Sequence, residues 1–169
     1  LHGHNEDKDA RTRVVSYLPV LQQALRDVSA WVERGVAPPA NSSYKLEEGQ
    51  IKLAPTARER MAVQPVVTVT VKGKSKASAR RNTDVEFTAT AEAPPGAGKI
   101  VGIEWDFDGS GAFATKSPWD GPVAATETKR HRFDNAGTYF VTVRAILQRD
   151  GDAKTPYARI PNLARVRVV

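Results

Sequence analysis

Trp105-Asp106-Phe107-Asp108-Gly109-Ser110-Gly111 decides the fold of this 169-residue chain. The residues leading into it alternate. Val101, Ile103, Trp105 and Phe107 are apolar, and Gly102, Glu104 and Asp106 lie between them. Successive strand side chains point to opposite faces, so the pattern predicts a strand with one buried face. That strand runs into an acidic, glycine-rich turn. His131-Arg132-Phe133 ends a second strand. Gly137-Thr138-Tyr139-Phe140-Val141-Thr142-Val143 opens a third, again with apolar and polar residues in alternation.

Working outward, the same period recurs. Val67, Val69 and Val71 alternate with threonines, and Val85, Phe87, Ala89 and Ala91 alternate with Glu86, Thr88 and Thr90. Residues 126–133 are more polar and suit an edge strand. Tyr139, Val141, Val143 and Ala145 continue the third strand, and Ala164, Val166 and Val168 close the chain. Glycine, proline and asparagine turns separate these runs. The pattern predicts about seven antiparallel strands in two packed sheets, each wet on one side. Trp105, Phe87, Tyr139 and Val141 are expected in the core.

Taken together, Trp105, Asp106, Phe107, Asp108, Gly109, His131, Phe133, Gly137 and Tyr139 make the chain resemble the PKD domain over about residues 64–169. The resemblance implies a mainly β fold, an immunoglobulin-like antiparallel β-sandwich. It implies a non-catalytic binding or spacer module in a secreted or cell-surface protein, here of bacterial kind. Its contacts would be with protein or polysaccharide. Trp105 would take the central core place, and residues 134–139 would form a tyrosine corner. His131 would be structural, its ring bonding the turn around Trp105-Asp106-Phe107.

Residues 1–63 are different in kind: a helical segment plus a small hairpin. Residues 1–12 are polar and read as loop. From Val14 an apolar stripe runs through Leu18, Leu21, Leu25, Val28 and Val32, in steps of four and three, which is one face of an α-helix. Gln22, Gln23, Arg26, Asp27, Glu33 and Arg34 take the other face. Pro19 starts or kinks that helix, and Gly35 followed by Pro38-Pro39 stops it. Such an amphipathic helix must pack on something, and self-association through helix 14–34 is expected. Residues 44–53 read as the hairpin, with Gly49 in its turn. Thr56-Ala57-Arg58-Glu59 has capping-box spacing.

The run from Leu1 through Val20-Leu21-Gln22-Gln23-Ala24-Leu25 and Trp31-Val32-Glu33-Arg34-Gly35 to Ala40 resembles the C-terminal end of α/β-hydrolases of the esterase and tannase-like kind. There the triad histidine comes late and a final helix packs on the sheet. The resemblance implies that His2 or His4 would be that histidine, with Ser and Asp supplied by a preceding region. The chain has no Gly-x-Ser-x-Gly, so no hydrolysis is expected of it alone. It begins at Leu1 rather than Met and carries no signal peptide, and it is read as an excised or processed piece.

Composition narrows the classes. There are no cysteines, which excludes disulfides, thiolate nucleophiles and Cys-ligated zinc. No apolar run approaches the ~20 residues of a membrane helix, so membrane insertion is not expected. The net charge is +6, and residues 64–169 hold 16 Lys and Arg against 11 Asp and Glu. Lys72, Lys74, Lys76, Arg80 and Arg81 crowd one loop. They read either as an anion-binding patch or as a solvated loop. The second is favoured and no nucleic acid is expected, because no aromatics interleave with the charges. Asp106 and Asp108 leave one face of a strand end. They are weak candidates for calcium. The favoured reading is that they bond backbone N–H groups in the turn, so no metal or cofactor is expected.

Overall fold

The computed structural model describes residues 8–169. A one-turn helix α1 (Lys8–Arg11) precedes α2 (Leu18–Arg34). The second helix begins at Leu18 with Pro19 in its first turn, where the missing N–H has no intrahelical partner to lose. It ends at Gly35, which adopts φ 68°. Gly35 N–H donates to the Trp31 carbonyl and Val36 N–H to the Ala30 carbonyl, pairing carbonyls left over at the helix end.

The hairpin forms with β1 (Tyr44–Glu47) paired to β2 (Gln50–Leu53), and every residue in it is exposed. Helix α3 (Ala57–Arg60) is a single turn. Thr56 caps it, its hydroxyl oxygen accepting from Glu59 N–H at 3.2 Å.

The sandwich follows: β3 (Val66–Val71), β4 (Lys76–Ala77), β5 (Asp84–Glu92), β6 (Lys99–Asp106), β7 (Thr115–Pro118), β8 (Ala124–Arg132), β9 (Tyr139–Gln148) and β10 (Arg159–Val168). One sheet has the order β3-β5-β8, and the other β4-β10-β9-β6-β7. All pairings are antiparallel except the short β4 against β10. The chain is therefore mainly β, an immunoglobulin-like sandwich with a helical segment and a hairpin ahead of it. The expected edge strand over 126–133 is β8, at one side of the smaller sheet.

Between the sheets lie Val71, Val85, Phe87, Ile103, Trp105, Val141, Val143, Leu147 and Val166, all fully buried. Two details depart from simple alternation. The pairing of β6 with β9 slips between Ile100 and Gly102, a bulge that leaves one residue over. Ile100 joins the core cluster in the inward place that alternation gave to Val101. Tyr139 is half-buried rather than buried, its ring stacked on Phe133 with centroids 4.2 Å apart.

The larger correction concerns α2. Sequence periodicity separates its two faces correctly, but the polar face meets the sandwich. Gln23, Asp27 and Ala30 are its buried residues, and the helix lies against β10. Leu21, Leu25, Val28 and Val32 point outward, Leu25 64% and Val32 78% exposed. The polar face meets a charged wall there: Arg149, just beyond β9, reaches Asp27 with Nη2 3.1 Å from Oδ1. Gln23 Nε2 donates to the same oxygen at 2.9 Å.

Candidate functional site

The turn after β6 is built around one carboxylate. Asp106 is almost fully buried. Its Oδ1 accepts from Gly109 N–H at 3.0 Å and Ser110 N–H at 3.2 Å, and its Oδ2 from Gly111 N–H at 2.7 Å. Asp108 Oδ1 accepts a further bond from Ser110 N–H at 3.1 Å. Gly109 and Gly111 both sit at φ 73°, a left-handed backbone that costs glycine little. The sequence therefore works as a unit: the glycines allow the backbone to curl, and the curl aims three N–H groups at Asp106.

The two carboxyls differ in acidity. Burial pushes Asp106 above its ordinary value of 3.8, its side-chain hydrogen bond with Asp108 adds to the push, and the backbone donors from Gly111 and Ser110 pull the other way. Asp108 falls to about 2, held down first by its bond with the Asp106 side chain and then by Ser110. The oxygens of this turn are thus largely committed to the protein's own N–H groups. Among the described residues, no group of three or more His, Asp or Glu is placed to hold a metal ion.

An aromatic stack runs beside the turn. Trp105 and Phe107 lie parallel with centroids 5.4 Å apart, and Phe107 and His131 with centroids 4.4 Å apart. Phe133 closes on His131 edge-on. His131 thus meets the turn by stacking. Burial lowers its pKa below the ordinary 6.5, and the charges of Asp108 and Asp134 partly oppose this. Trp105 Nε1 donates to Glu127 Oε2 on β8 at 2.6 Å, a bond that ties the two sheets together. Tyr139 Oη donates to the Asn135 carbonyl at 2.9 Å, across the turn that contains Gly137.

Outside the turn, three surfaces carry functional groups. The outer face of the small sheet is a threonine array: Thr68 with Thr90 and Thr88 with Thr128 meet through their hydroxyls across neighbouring strands. At the edge of the large sheet, Lys76 sits in register with Arg167, and Arg165 follows two residues away on the same face. The structure adds Phe140 to this basic strip, which linear order could not. The Arg165 guanidinium lies 4.6 Å over that ring. The third surface is a cleft between α2 and the β9–β10 loop. Sequence analysis missed it because its two walls are about 120 residues apart, and neither carries a motif. Glu104, Arg144 and Phe113 were also missed. Arg144 Nε donates to Glu104 Oε2 at 2.6 Å, and its guanidinium lies 4.1 Å over Phe113, which covers the outer face of β9. His2 and His4 lie outside the described residues.

No helix of the described residues is long and apolar enough to cross a membrane. The family model described as the PKD domain matches residues 67–155. Among solved structures, the PKD domain of an M14-like peptidase from a Thermoplasmatales archaeon is 19% identical, covers 64% of this chain and 97% of its own, and gives a TM-score of 0.43. The CARDB domain of a Pyrococcus furiosus protein, solved in complex with di-metal ions, is 13% identical, covers 63% of this chain and 88% of its own, and gives 0.43. No curated protein matches the chain.

Proposed function

Because this chain belongs to the PKD domain family, we propose that residues 64–169 are an extracellular module appended to a secreted enzyme, and that residues 1–63 are a separate unit. The module is a non-catalytic binding or spacer domain. It contacts protein or polysaccharide or holds domains apart. The observation that carries this reading is the state of the acidic turn. Its carboxylates, the most concentrated functional groups of the family signature, are used to fold the chain on itself. What remains for partners is broad sheet surface, hydroxyl-rich on one side and basic along one edge. Such surfaces suit polymer contact better than catalysis.

Affinity electrophoresis of the chain through gels containing xylan, soluble cellulose derivatives or pectin tests the carbohydrate arm. Retardation by at least one polymer is expected. Mobility unchanged by every polymer would overturn that arm and leave spacing.

A second reading is favoured by one observation, the outward apolar stripe of α2. A final helix of an α/β-hydrolase packs such a stripe on its sheet. In that reading residues 1–40 belong to an esterase-like domain, His2 or His4 is the triad histidine, and Ser and Asp come from residues preceding Leu1. Mass-spectrometric identification of a native form carrying a reactive serine upstream tests it.

A further inference from the structure

We infer that the cleft between α2 and the β9–β10 loop is a binding site for a neutral saccharide unit, an inference that rests on the carbohydrate arm of the proposed function. The cleft measures about 560 Å³, within the ~300–1,000 Å³ range of ligand pockets. Its floor is unusual. Gln23 is only 3% exposed, and its Oε1 has no hydrogen-bond partner. Nη1 of Arg149, on the opposite wall, is buried and equally unpartnered. Buried polar atoms are normally paired, and an orphan loses its bonds to water without replacement. One orphan accepts and the other donates. A hydroxyl does both, so a polyhydroxylated ligand that opens the floor slightly can satisfy the two together.

The rim fits the same chemistry. Tyr157 lines the cleft and is 70% exposed, an aromatic face available to stack on the C–H face of a sugar ring. Three arginines and three aspartates line the walls, so no net charge favours an anion or a cation. Planar side chains such as Arg26 and Asp150 offer paired donors and paired acceptors at the spacing of adjacent hydroxyls. The loop wall is held in place. Gln148 Oε1 accepts from Asp150 N–H at 2.7 Å and Asp152 N–H at 2.8 Å. Neither the helix nor the sandwich forms the cleft alone. The Arg149–Asp27 ion pair therefore joins the two walls of the site.

Calorimetric titration and amide chemical-shift mapping of the full chain with cellohexaose, xylohexaose, mannohexaose and a galacturonate hexamer test the inference. At least one neutral oligomer is expected to bind, with shifts on α2 and the β9–β10 loop. Tyr157→Ala, at an exposed position, is expected to weaken binding roughly tenfold, the loss of one stacked contact. Lys52→Ala, on the exposed hairpin and outside the cleft, is expected to leave it unchanged. Three results would overturn the inference: no neutral oligomer binds, the galacturonate oligomer binds tightest, or binding survives Tyr157→Ala with shifts elsewhere. The last would sink the cleft while sparing the carbohydrate arm.

Discussion

Replacing Trp105 with alanine examines the sandwich at its centre. Trp105 is fully buried between the sheets, stacked on Phe107 and bonded to Glu127. Truncating a buried tryptophan costs ~3–5 kcal/mol through lost transfer energy and the cavity left behind. The substitution also removes the N–H that Glu127 Oε2 accepts at 2.6 Å. Hydrogen bonds to charged groups contribute ~1.5–3 kcal/mol, so the upper half of that range is expected. Lys129 Nζ stays 3.2 Å from Glu127 Oε1, which limits the penalty on the carboxylate. Against a net stability of ~5–15 kcal/mol, the variant would fold marginally. Two milder variants isolate the hydrogen bond. Trp105→Phe keeps most of the apolar volume and removes the donor; Glu127→Gln keeps an acceptor and removes the charge. Urea unfolding followed by circular dichroism gives each stability, and the double variant closes a cycle. A coupling of about 1 kcal/mol or more is expected. A cost below ~2 kcal/mol for Trp105→Ala, or no coupling, would refute the view that this bond ties the sheets together.

Four further outcomes are expected. Stability should fall as pH drops below 6.5: burial lowers the folded-state pKa of His131, so the unfolded chain takes up the proton first. His131→Phe, which keeps the stack on Phe107, should flatten the thermal melting midpoint between about pH 7.5 and about pH 5.5; an unchanged slope would refute the assignment. Calorimetric titration with calcium should reveal no micromolar site, and such a site, abolished in Asp108→Asn, would show the turn to be a metal loop. The purified chain should not hydrolyse p-nitrophenyl acetate above background, for want of a nucleophile and oxyanion donors; turnover lost in His2→Ala would contradict this. Sedimentation velocity should detect self-association at high concentration, reduced by Leu25→Glu on the exposed stripe; a strictly monomeric chain would rule it out.

The sandwich was legible because period-2 alternation is a direct consequence of strand geometry. Each of Val85, Phe87, Ala89 and Ala91 falls in the core where its parity puts it. The slip of Val101 for Ile100 comes from a bulge, which adds a residue and reverses parity without leaving a mark in composition. The acidic turn was legible for a related reason: aspartates and glycines at short spacing have few local ways to satisfy each other. Arg149, Tyr157 and Gln23 were not legible as a site. They belong to no periodic pattern, and what joins them is tertiary distance.

The helix shows most clearly what periodicity contains and what it omits. Steps of four and three establish that Leu21, Leu25, Val28 and Val32 share a face, because 3.6 residues make a turn. They do not establish which face meets the sandwich. Turning α2 over would bury the stripe, at ~1.5–3 kcal/mol for each large side chain taken from water. It would also carry Asp27 away from Arg149, although the Asp27 side chain is only 9% exposed in the observed pose and that of Arg149 only 30%. Breaking a buried pair by removing one partner is commonly worth ~3–5 kcal/mol, since the other charge stays behind. One such pair, together with Gln23 bonded to Asp27, can outweigh a single apolar contact but not four at once. The observed orientation is therefore the better one only if the outer surface offers too little apolar area for the stripe. Where the helix lies it does: Arg149, Asp150 and Asp152 line the facing wall, and a leucine face laid on charged groups would gain little. The polar face goes in because the sandwich presents charge.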